Sequence, residues 1–590
     1  MTDTLHIAIA QLNPIMGDIA GNAAKVRAAR QEAAVLGADI LVLTELFIAA
    51  YPPDDMVLKP AFLDACRQAI DDLARETADG GPVVIIGTPW LIGPRQSGER
   101  DAQKDGVEVY NAVCVLSGGK IAAVRFKHDL PNYGVFDEKR VFDAGPMPGS
   151  VAIKGVRIGI PICEDIWGQD VVECLAETGA EILIVPNASP YRRGRLEERL
   201  NTIVARVTES GLPLIYVNQV GGQDELVFDG GSMGLNADRS LAFQLPAFVE
   251  SLALTTWQRE KGTWICKNGP ITPVEDGDEA DYEACVLGLR DYVNKNRFKD
   301  VVLGLSGGID SAICTAMAVD ALGAERVHCV MLPYLYTSRE SLEDAHGVAE
   351  ATGVRYDIMP IKAAVEGLEA ALKPLFEGRE RDLTEENLQS RARGTILMSL
   401  SNKFGPMVLT TGNKSEMSVG YCTLYGDMNG GFNPIKDLYK MEVFRLCSLR
   451  NRWKPVWAKG PDGVVIPENI LLKPPSAELR DNQKDQDSLP PYEVLDAILV
   501  RLVEREMRVS DIVAEGYDLE IVRKIEWLLY FAEYKRRQSA PGVKVTGKAF
   551  GRERRYPIVN RFRDPGLGPY APDIKIAPEV VRAQSDTVDF

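Results

Sequence analysis

VVLGLSGGIDSAICTAMAVDAL, residues 301–322, is the stretch whose reading decides the architecture of the second half of the chain. Residues 301–305 have the apolar character of a buried strand, and a helical pattern follows to about Leu322. Between them stands GLSGGIDS, that is Gly304, Leu305, Ser306, Gly307, Gly308, Ile309, Asp310 and Ser311. Two adjacent glycines let the backbone approach a ligand and turn its N–H groups inward, Ser306 and Ser311 add hydroxyls, and the next helix points its positive end at the same spot. An anion is expected there. The loop lacks the lysine and the spacing of GxxxxGK[ST], so γ-phosphate transfer of the Walker type is disfavoured. A plain Gly-Gly turn between strand and helix is the competing reading.

Outward from this octet, strands and helices alternate: a helix near 279–296, VHCVMLP at 327–333, a helix, and VRYDIMP at 354–360. Strands spaced by single helices imply parallel pairing through right-handed crossovers, hence a doubly wound sheet. The first half has the same rhythm, with LHIAIAQL at 5–12, DILVL at 39–43, VVIIGTP from 83, VRIGIPIC at 156–163, EILIVPN at 181–187 and LPLIYVNQ at 212–219. Such runs, apolar on both faces, suit a layered α/β domain. The pattern breaks in CKNGPITPVEDGDEADYE, where Gly, Pro and acidic residues cluster, so we divide the chain into 1–265, a linker at 266–276, and 277–590 with a C-terminal tail. A loop-like KPPSAELRDNQKDQDSLPPYE and a helical stretch from about 493 to 537 follow within the second part.

At 590 residues, 45% hydrophobic and 26% charged, the chain has ordinary globular usage and is too long for one core, which excludes disordered, collagen-like and disulfide-stapled classes. A formal charge of −17 disfavours nucleic acid and anionic membranes as partners, despite the local KRRQ and RERR clusters. The first twenty residues lack a signal pattern, so a soluble cytoplasmic protein is expected. Ten cysteines without a CxxC pair write neither a zinc cluster nor a dithiol site. The only histidines are His6, His128, His328 and His346, which leaves imidazole chemistry few places.

Three first-half residues share a position type. Glu45 follows DILVLT, Lys127 follows KIAAVRF and Cys163 ends VRIGIPI, each at a strand end. A cysteine attacks a carbonyl as thiolate, so it needs a proton acceptor, and the oxyanion it creates needs a cation. Glu45 supplies the first requirement and Lys127 the second. A packing role in an apolar strand is the alternative for Cys163, and Cys–His chemistry would have to use His128, which has no visible orienting partner.

With TELF, FKHDLPNYGVFDEKRVF and CEDIW in that order, the first half resembles the nitrilase superfamily of carbon–nitrogen hydrolases. That resemblance implies an α-β-β-α sandwich and a Glu45–Lys127–Cys163 triad cleaving an amide through a thioester. It offers Glu138 as a second glutamate steering the lysine, a surface helix carboxylate being the alternative. SGGIDS resembles the pyrophosphate-loop ATPases of the adenine nucleotide α-hydrolase-like fold. Together with ENLQSRARG at 386–394 and LTTGNKSEMSVGYCTLYGDMNGGFNPIKDLYK at 409–440, the whole chain resembles the glutamine-dependent NAD synthetases.

The family resemblance implies a ligase that amidates deamido-NAD to NAD with ATP as co-substrate, releasing AMP and pyrophosphate, and using ammonia drawn from glutamine. It implies Tyr133, Ser189 and Arg195 at glutamine, residues 304–311 with Thr411 and Lys440 at ATP, and Asn387, Arg391, Glu416 and Lys544 at deamido-NAD. Asp310 and Glu416 would hold Mg2+, and a homo-oligomer with a shielded ammonia passage is expected. Read alone, Arg195 is equally a solvated helix-start residue and Glu416 a surface carboxylate. Other glutamine-fed amidating ligases and a non-catalytic nucleotide sensor are the competing functions.

Overall fold

The apolar runs of the first half fall into two sheets packed face to face. The structure, a computed structural model, describes residues 3–93, 108–481, 483–487 and 489–569. One sheet has seven strands in the order Thr263–Asn268, Ser251–Glu260, Thr4–Gln11, Ile40–Val42, Val83–Ile92, Glu108–Ser117 and Lys120–Phe126. The other has six, with Val156–Gly159, Ile182–Asn187 and Leu214–Asn218 running parallel at its centre. Alternation along Thr4–Gln11 explains the layering: Ile7 and Ile9 enter the core between the sheets with Ile158, Ile184 and Ile215, whereas Ala8 and Ala10 face the outer layer. Helices Ile19–Val35 and Pro60–Glu76 cover that outer face, and Asp170–Glu177 and Arg195–Ser210 cover the other sheet. This is an α-β-β-α sandwich.

The second half is built on four parallel strands in the order Arg355–Ile358, Val327–Met331, Val301–Gly304 and Met407–Val408. The first strand in sequence lies between the second and the last, so the chain winds one way and then the other. The point where the winding reverses is where open α/β sheets bind ligands at their strand ends. Helices Asp278–Lys295, Ile309–Leu322 and Lys440–Arg450 pack on one face, Lys362–Leu372 and Leu383–Phe404 on the other. A third layer of short helices, Tyr492–Val503, Val509–Ala514 and Leu519–Phe531, gathers around Leu495, Ile512 and Ile525. The helical stretch expected over 493–537 is therefore broken rather than continuous.

Helix Asp278–Lys295 joins the two halves. It is buried along most of its length, including Asp281, Glu283 and Asp291, because it is packed between helices Ile309–Leu322 and Lys440–Arg450 of its own half and the hairpin Val220–Gln223 and Leu226–Asp229 of the first. Gly288 permits the approach: a Cβ there would stand 2.6 Å from Val543 and 3.0 Å from Val227. No helix among the described residues is long and apolar enough to cross a membrane.

Candidate functional site

Two sites lie at strand ends, one in each half. In the first, the Lys127 ammonium, fully buried, donates to Glu45 Oε1 at 2.7 Å and to Glu138 Oε1 at 2.8 Å. Burial opposes its charge, but the Glu138 and Glu45 carboxylates outweigh burial and hold it charged. Glu45 is in turn fixed by Asn111 Nδ2 at 2.7 Å and by the Ala188 amide at 3.0 Å. Burial pushes the Glu138 carboxyl up, opposed by Lys127, and its second neighbour is the Tyr51 hydroxyl at 2.8 Å. Of the two readings left open for Glu138, the buried partner of the lysine is the one found.

Cys163 opens the short helix Cys163–Ile166 with φ +47°, a conformation that costs a non-glycine residue about 1–3 kcal/mol and that recurs at reactive positions. Burial and then the Glu45 charge push its thiol well up, while Lys127 acts to bring it down. Ionisation therefore requires the proton to pass to a neighbouring base. Asp165 holds the turn in place: its carboxylate accepts the amides of Ile162 at 2.8 Å, His128 at 2.9 Å and Asp129 at 2.8 Å.

Around this centre, Ser189 is buried and Arg195 is 7% exposed, so Arg195 is not a solvated helix-start residue. Its guanidinium lies 4.3 Å over the Trp167 ring and its Nε 3.4 Å from Ser189 Oγ. Tyr133 is half exposed and donates its hydroxyl to Glu164, the residue after the cysteine, at 2.9 Å. A guanidinium beside a hydroxyl and a phenol suits the zwitterionic end of an amino acid. Asn111, Asp165, Glu164 and Trp167 escaped the sequence reading. Asn111 carried a signal, being a polar residue inside the otherwise apolar VYNAVCVL.

The second site is a cavity of about 770 Å³ at the reversal of the winding, lined by Gly304, Leu305, Ser306, Gly308, Ile309, Asp310, Ser311, Thr411, Glu416 and Lys440. Gly307 stands behind this wall at φ +81°, where a Cβ would meet Ser341 O at 2.2 Å. Ser306 and Ser311 share hydroxyls at 3.1 Å, and the Gly308 amide donates to Ser306 Oγ at 3.2 Å, so the loop is preformed. Lys440 pairs with Asp310 and, at 3.2 Å, with Glu416, while Asp310 also accepts Asn413 Nδ2 at 2.9 Å. Burial pushes Glu416 up to about 8, with Lys440 opposing and Asp310 adding to the rise. Glu416 is thus part of the cavity wall, not a surface carboxylate. Residues 473–481 and 483–485 roof the same cavity, and Glu478 fastens them by accepting both Ser338 and Ser341 hydroxyls at 2.8 Å.

Besides Gly307, three predicted residues lie outside that lining. Asn387 and Arg391, on helix Leu383–Phe404, are turned to the 423–424 segment, Asn387 accepting Thr423 Oγ1 at 2.9 Å and Arg391 donating to Leu424 O at 3.3 Å, while Ser390, Arg393 and Gly394 face the cavity. Lys544 is buried elsewhere. It donates to Thr546 O at 2.9 Å, lies 3.5 Å from Glu553, and lines a cavity of about 230 Å³ whose walls come from both halves. Among the described residues no group of three or more His, Cys, Asp or Glu side chains is arranged to hold a metal.

The carbon-nitrogen hydrolase family model matches residues 6–263, and the NAD synthase family model matches residues 281–539. The glutamine-dependent NAD(+) synthetase of Rhodobacter capsulatus is 52% identical over 564 residues, covering 96% of this chain and 100% of the relative. That of Xanthomonas campestris is 47% identical over 569 residues, covering 95% and 98%. Among solved structures, the glutamine-dependent NAD+ synthetase of Acinetobacter baumannii, in complex with ADP, superposes with a TM-score of 0.74 at 41% identity, covering 94% of this chain and 99% of that one. The enzyme of Cytophaga hutchinsonii, 22% identical, shares the fold with a TM-score of 0.74 over 94% of this chain and 98% of its own.

Proposed function

The chain belongs to the glutamine-dependent NAD(+) synthetase family, and we infer that its two sites divide one reaction between them. The protein uses ATP to amidate deamido-NAD to NAD with ammonia taken from glutamine, through an adenylated intermediate that yields AMP and pyrophosphate.

Glu45 takes the proton of Cys163, whose thiolate attacks the side-chain amide carbon of glutamine while the Lys127 ammonium meets the oxyanion. Collapse of the tetrahedral adduct breaks the carbon–nitrogen bond, ammonia leaves with a proton from Glu45, and a glutamyl thioester stays on sulfur. Water deprotonated by Glu45 then releases glutamate. Tyr133, Ser189 and Arg195 hold the amino-acid end of the substrate.

In the second cavity, residues 304–311 with Thr411 and Lys440 bind ATP. The nicotinate carboxylate is a poor electrophile, so it first attacks the α-phosphorus, forming a mixed anhydride and expelling pyrophosphate into the loop. Ammonia then displaces AMP. Asp310 and Glu416 fit Mg2+, because both carboxylates already converge on one cation, the Lys440 ammonium, and oxygen ligands suit that ion. When bound it offsets phosphate charge. Asn387, Arg391, Glu416 and Lys544 are assigned to deamido-NAD by family position, the first two from a helix whose neighbouring turn faces the cavity.

At neutral pH free ammonia is mostly protonated and no longer nucleophilic, so it must travel shielded from water. The cavity between the halves, with Val135 and Glu225 on one wall and Lys544 and Phe550 on the other, is the space we assign to that transfer. We keep the boundary of the units within the expected linker 266–276 but after Asn268, because 266–268 end the edge strand Thr263–Asn268 of the first half's sheet; a homo-oligomeric, cytoplasmic enzyme is included by family resemblance, and the charge of −17 supports the lack of nucleic-acid or membrane partners.

The single observation that carries the reading is the fully buried Lys127–Glu45 pair beside Cys163 on a chain that also bears the Asp310 loop. The test is reciprocal. Cys163→Ala abolishes glutamine-dependent synthesis and spares synthesis from added ammonia, whereas Asp310→Ala abolishes AMP formation and spares glutamine hydrolysis. Loss of both activities in either variant contradicts the division of labour.

A further inference from the structure

Between the strand ending at Asn187 and the helix beginning at Arg195 runs the loop that carries Ser189 and leads directly into Arg195. Two of its residues cross to the other half. The Tyr191 hydroxyl donates to Asp281 Oδ1 at 2.8 Å, and Arg193 Nε donates to Asp281 Oδ2 at 2.6 Å. Arg193 Nη1 pairs with Glu442, and the Arg193 amide donates to Val545 O at 3.1 Å. All four acceptors belong to the synthetase half.

These contacts are built rather than incidental. Asp281 is 1% exposed, and burial pushes its carboxyl up to about 6 although the Arg193 guanidinium beside it opposes the rise. The guanidinium stands between two carboxylates, so its removal leaves Asp281 and Glu442 facing each other without a cation. Glu442 has a second task, accepting the Tyr439 amide at 2.8 Å as the cap of helix Lys440–Arg450, whose first residue is the Lys440 of the nucleotide cavity.

We propose that Arg193 is a positioning residue for glutamine: the substrate-holding loop of the glutaminase is fastened to the synthetase domain through Arg193 on Asp281 and Glu442, so the glutamine pocket is finished by the other half of the chain. The proposal rests on the reading that Ser189 and Arg195 hold glutamine. It differs from a purely adhesive role in what it moves. Adhesion alone sets the fraction of folded enzyme and scales every rate together; a loop anchor sets the placement of Arg195 and shows in substrate affinity.

The test is steady-state glutaminase kinetics on the full chain. Arg193→Gln is expected to raise the glutamine KM about tenfold or more, with glutaminase kcat and ammonia-dependent synthesis each within about twofold of the parent. Arg193→Gln combined with Asp281→Asn leaves one buried carboxylate fewer, guards against misfolding, and is expected to show the same KM rise. Tyr191→Phe, which removes one hydroxyl, is expected to shift the KM in the same direction by a smaller factor. An unchanged glutamine KM in these variants, or a parallel fall of glutaminase and ammonia-dependent rates at constant KM, overturns the proposal. Arg195→Ala separates the two layers: if it raises the KM and the Arg193 variants do not, the anchor alone is wrong, and if it leaves the KM unchanged, the assignment of the loop to glutamine falls with it.

Discussion

Asp165 accepts three main-chain amides from a position 1% exposed, and two of them come from residues 36 and 37 positions earlier in the chain. It ties the turn of Cys163 to the segment that leaves Lys127, which keeps nucleophile and cation in register although the cysteine backbone is in an unfavourable region. Burial pushes its carboxyl up to about 7 against the pull of those amides. Asp165→Asn keeps the shape but turns an NH2 toward an amide donor, an unsatisfied contact worth about 1–3 kcal/mol. Glutaminase kcat is therefore expected to fall about tenfold or more, with ammonia-dependent synthesis preserved; rates measured with the two nitrogen sources check this, and equal losses would refute it. Glu45, Lys127 and Cys163 were legible because they are the polar residues that end apolar strands. Asp165 was not, since its partners are main-chain groups distant in sequence and no side-chain pattern announces them. Lys544 is marked only by its motif neighbours, and the fold turns it toward Glu553 at the junction of the halves.

The phosphate loop depends on an element outside it. Gly307 has φ +81° and packs its bare Cα against the first turn of helix Arg339–Thr352, where Ser341 O leaves no room for a methyl group. Gly307→Ala is expected to displace loop or helix, costing about 2 kcal/mol or more through clash and left-handed strain. AMP formation should drop by at least tenfold while glutamine hydrolysis continues; assays of AMP and glutamate on the same preparation decide it, and an unimpaired AMP rate would show the loop tolerates the shift. The strand–loop–helix unit and the parallel sheet were readable because period, turn residues and spacing agree. The helices after Tyr492 were not divided correctly. Residues 493–537 are mostly good helix formers, and the chain turns at Glu506, φ +49°, and Gly516, φ +103°, because three short helices enclose one apolar cluster that a single rod cannot. The burial of helix Asp278–Lys295 was equally hidden, since its acidic residues resemble an exposed face until Tyr191 and Arg193 take up Asp281, Trp457 takes up Glu283 and the Gly222 amide of the hairpin takes up Asp291.

One apolar core crosses from half to half: Tyr191, Val220, Val227 and Phe248 of the first share it with Tyr282, Val286, Leu289 and Val543 of the second. Removing either half would expose the other's share of this core, so thermal unfolding is expected as one cooperative transition in calorimetry, and two well-separated transitions would contradict it. Glu283 gives the assembly a pH dependence. Burial pushes its carboxyl up to about 7 while Trp457 Nε1 donates to it at 3.1 Å. The folded state keeps a proton that the unfolded state releases from about pH 4.5 upward, so stability falls as pH rises from about 4.5 through 7. Glu283→Gln keeps an acceptor for Trp457 and removes the charge. It is expected to gain on the order of 1–3 kcal/mol over the parent at pH 8 and little at pH 5, read from denaturant midpoints, and an equal difference at both pH values would refute the assignment. The glycine at 288, wedged against Val227 and Val543, has a bearing on ancestry and engineering alike. A chimera that borrowed its ammonia-releasing portion from a cousin would set a foreign hairpin against a seam cut to one atom's clearance. A larger side chain on one bank of that seam needs a smaller one opposite, so the two portions are exchanged only as a matched pair.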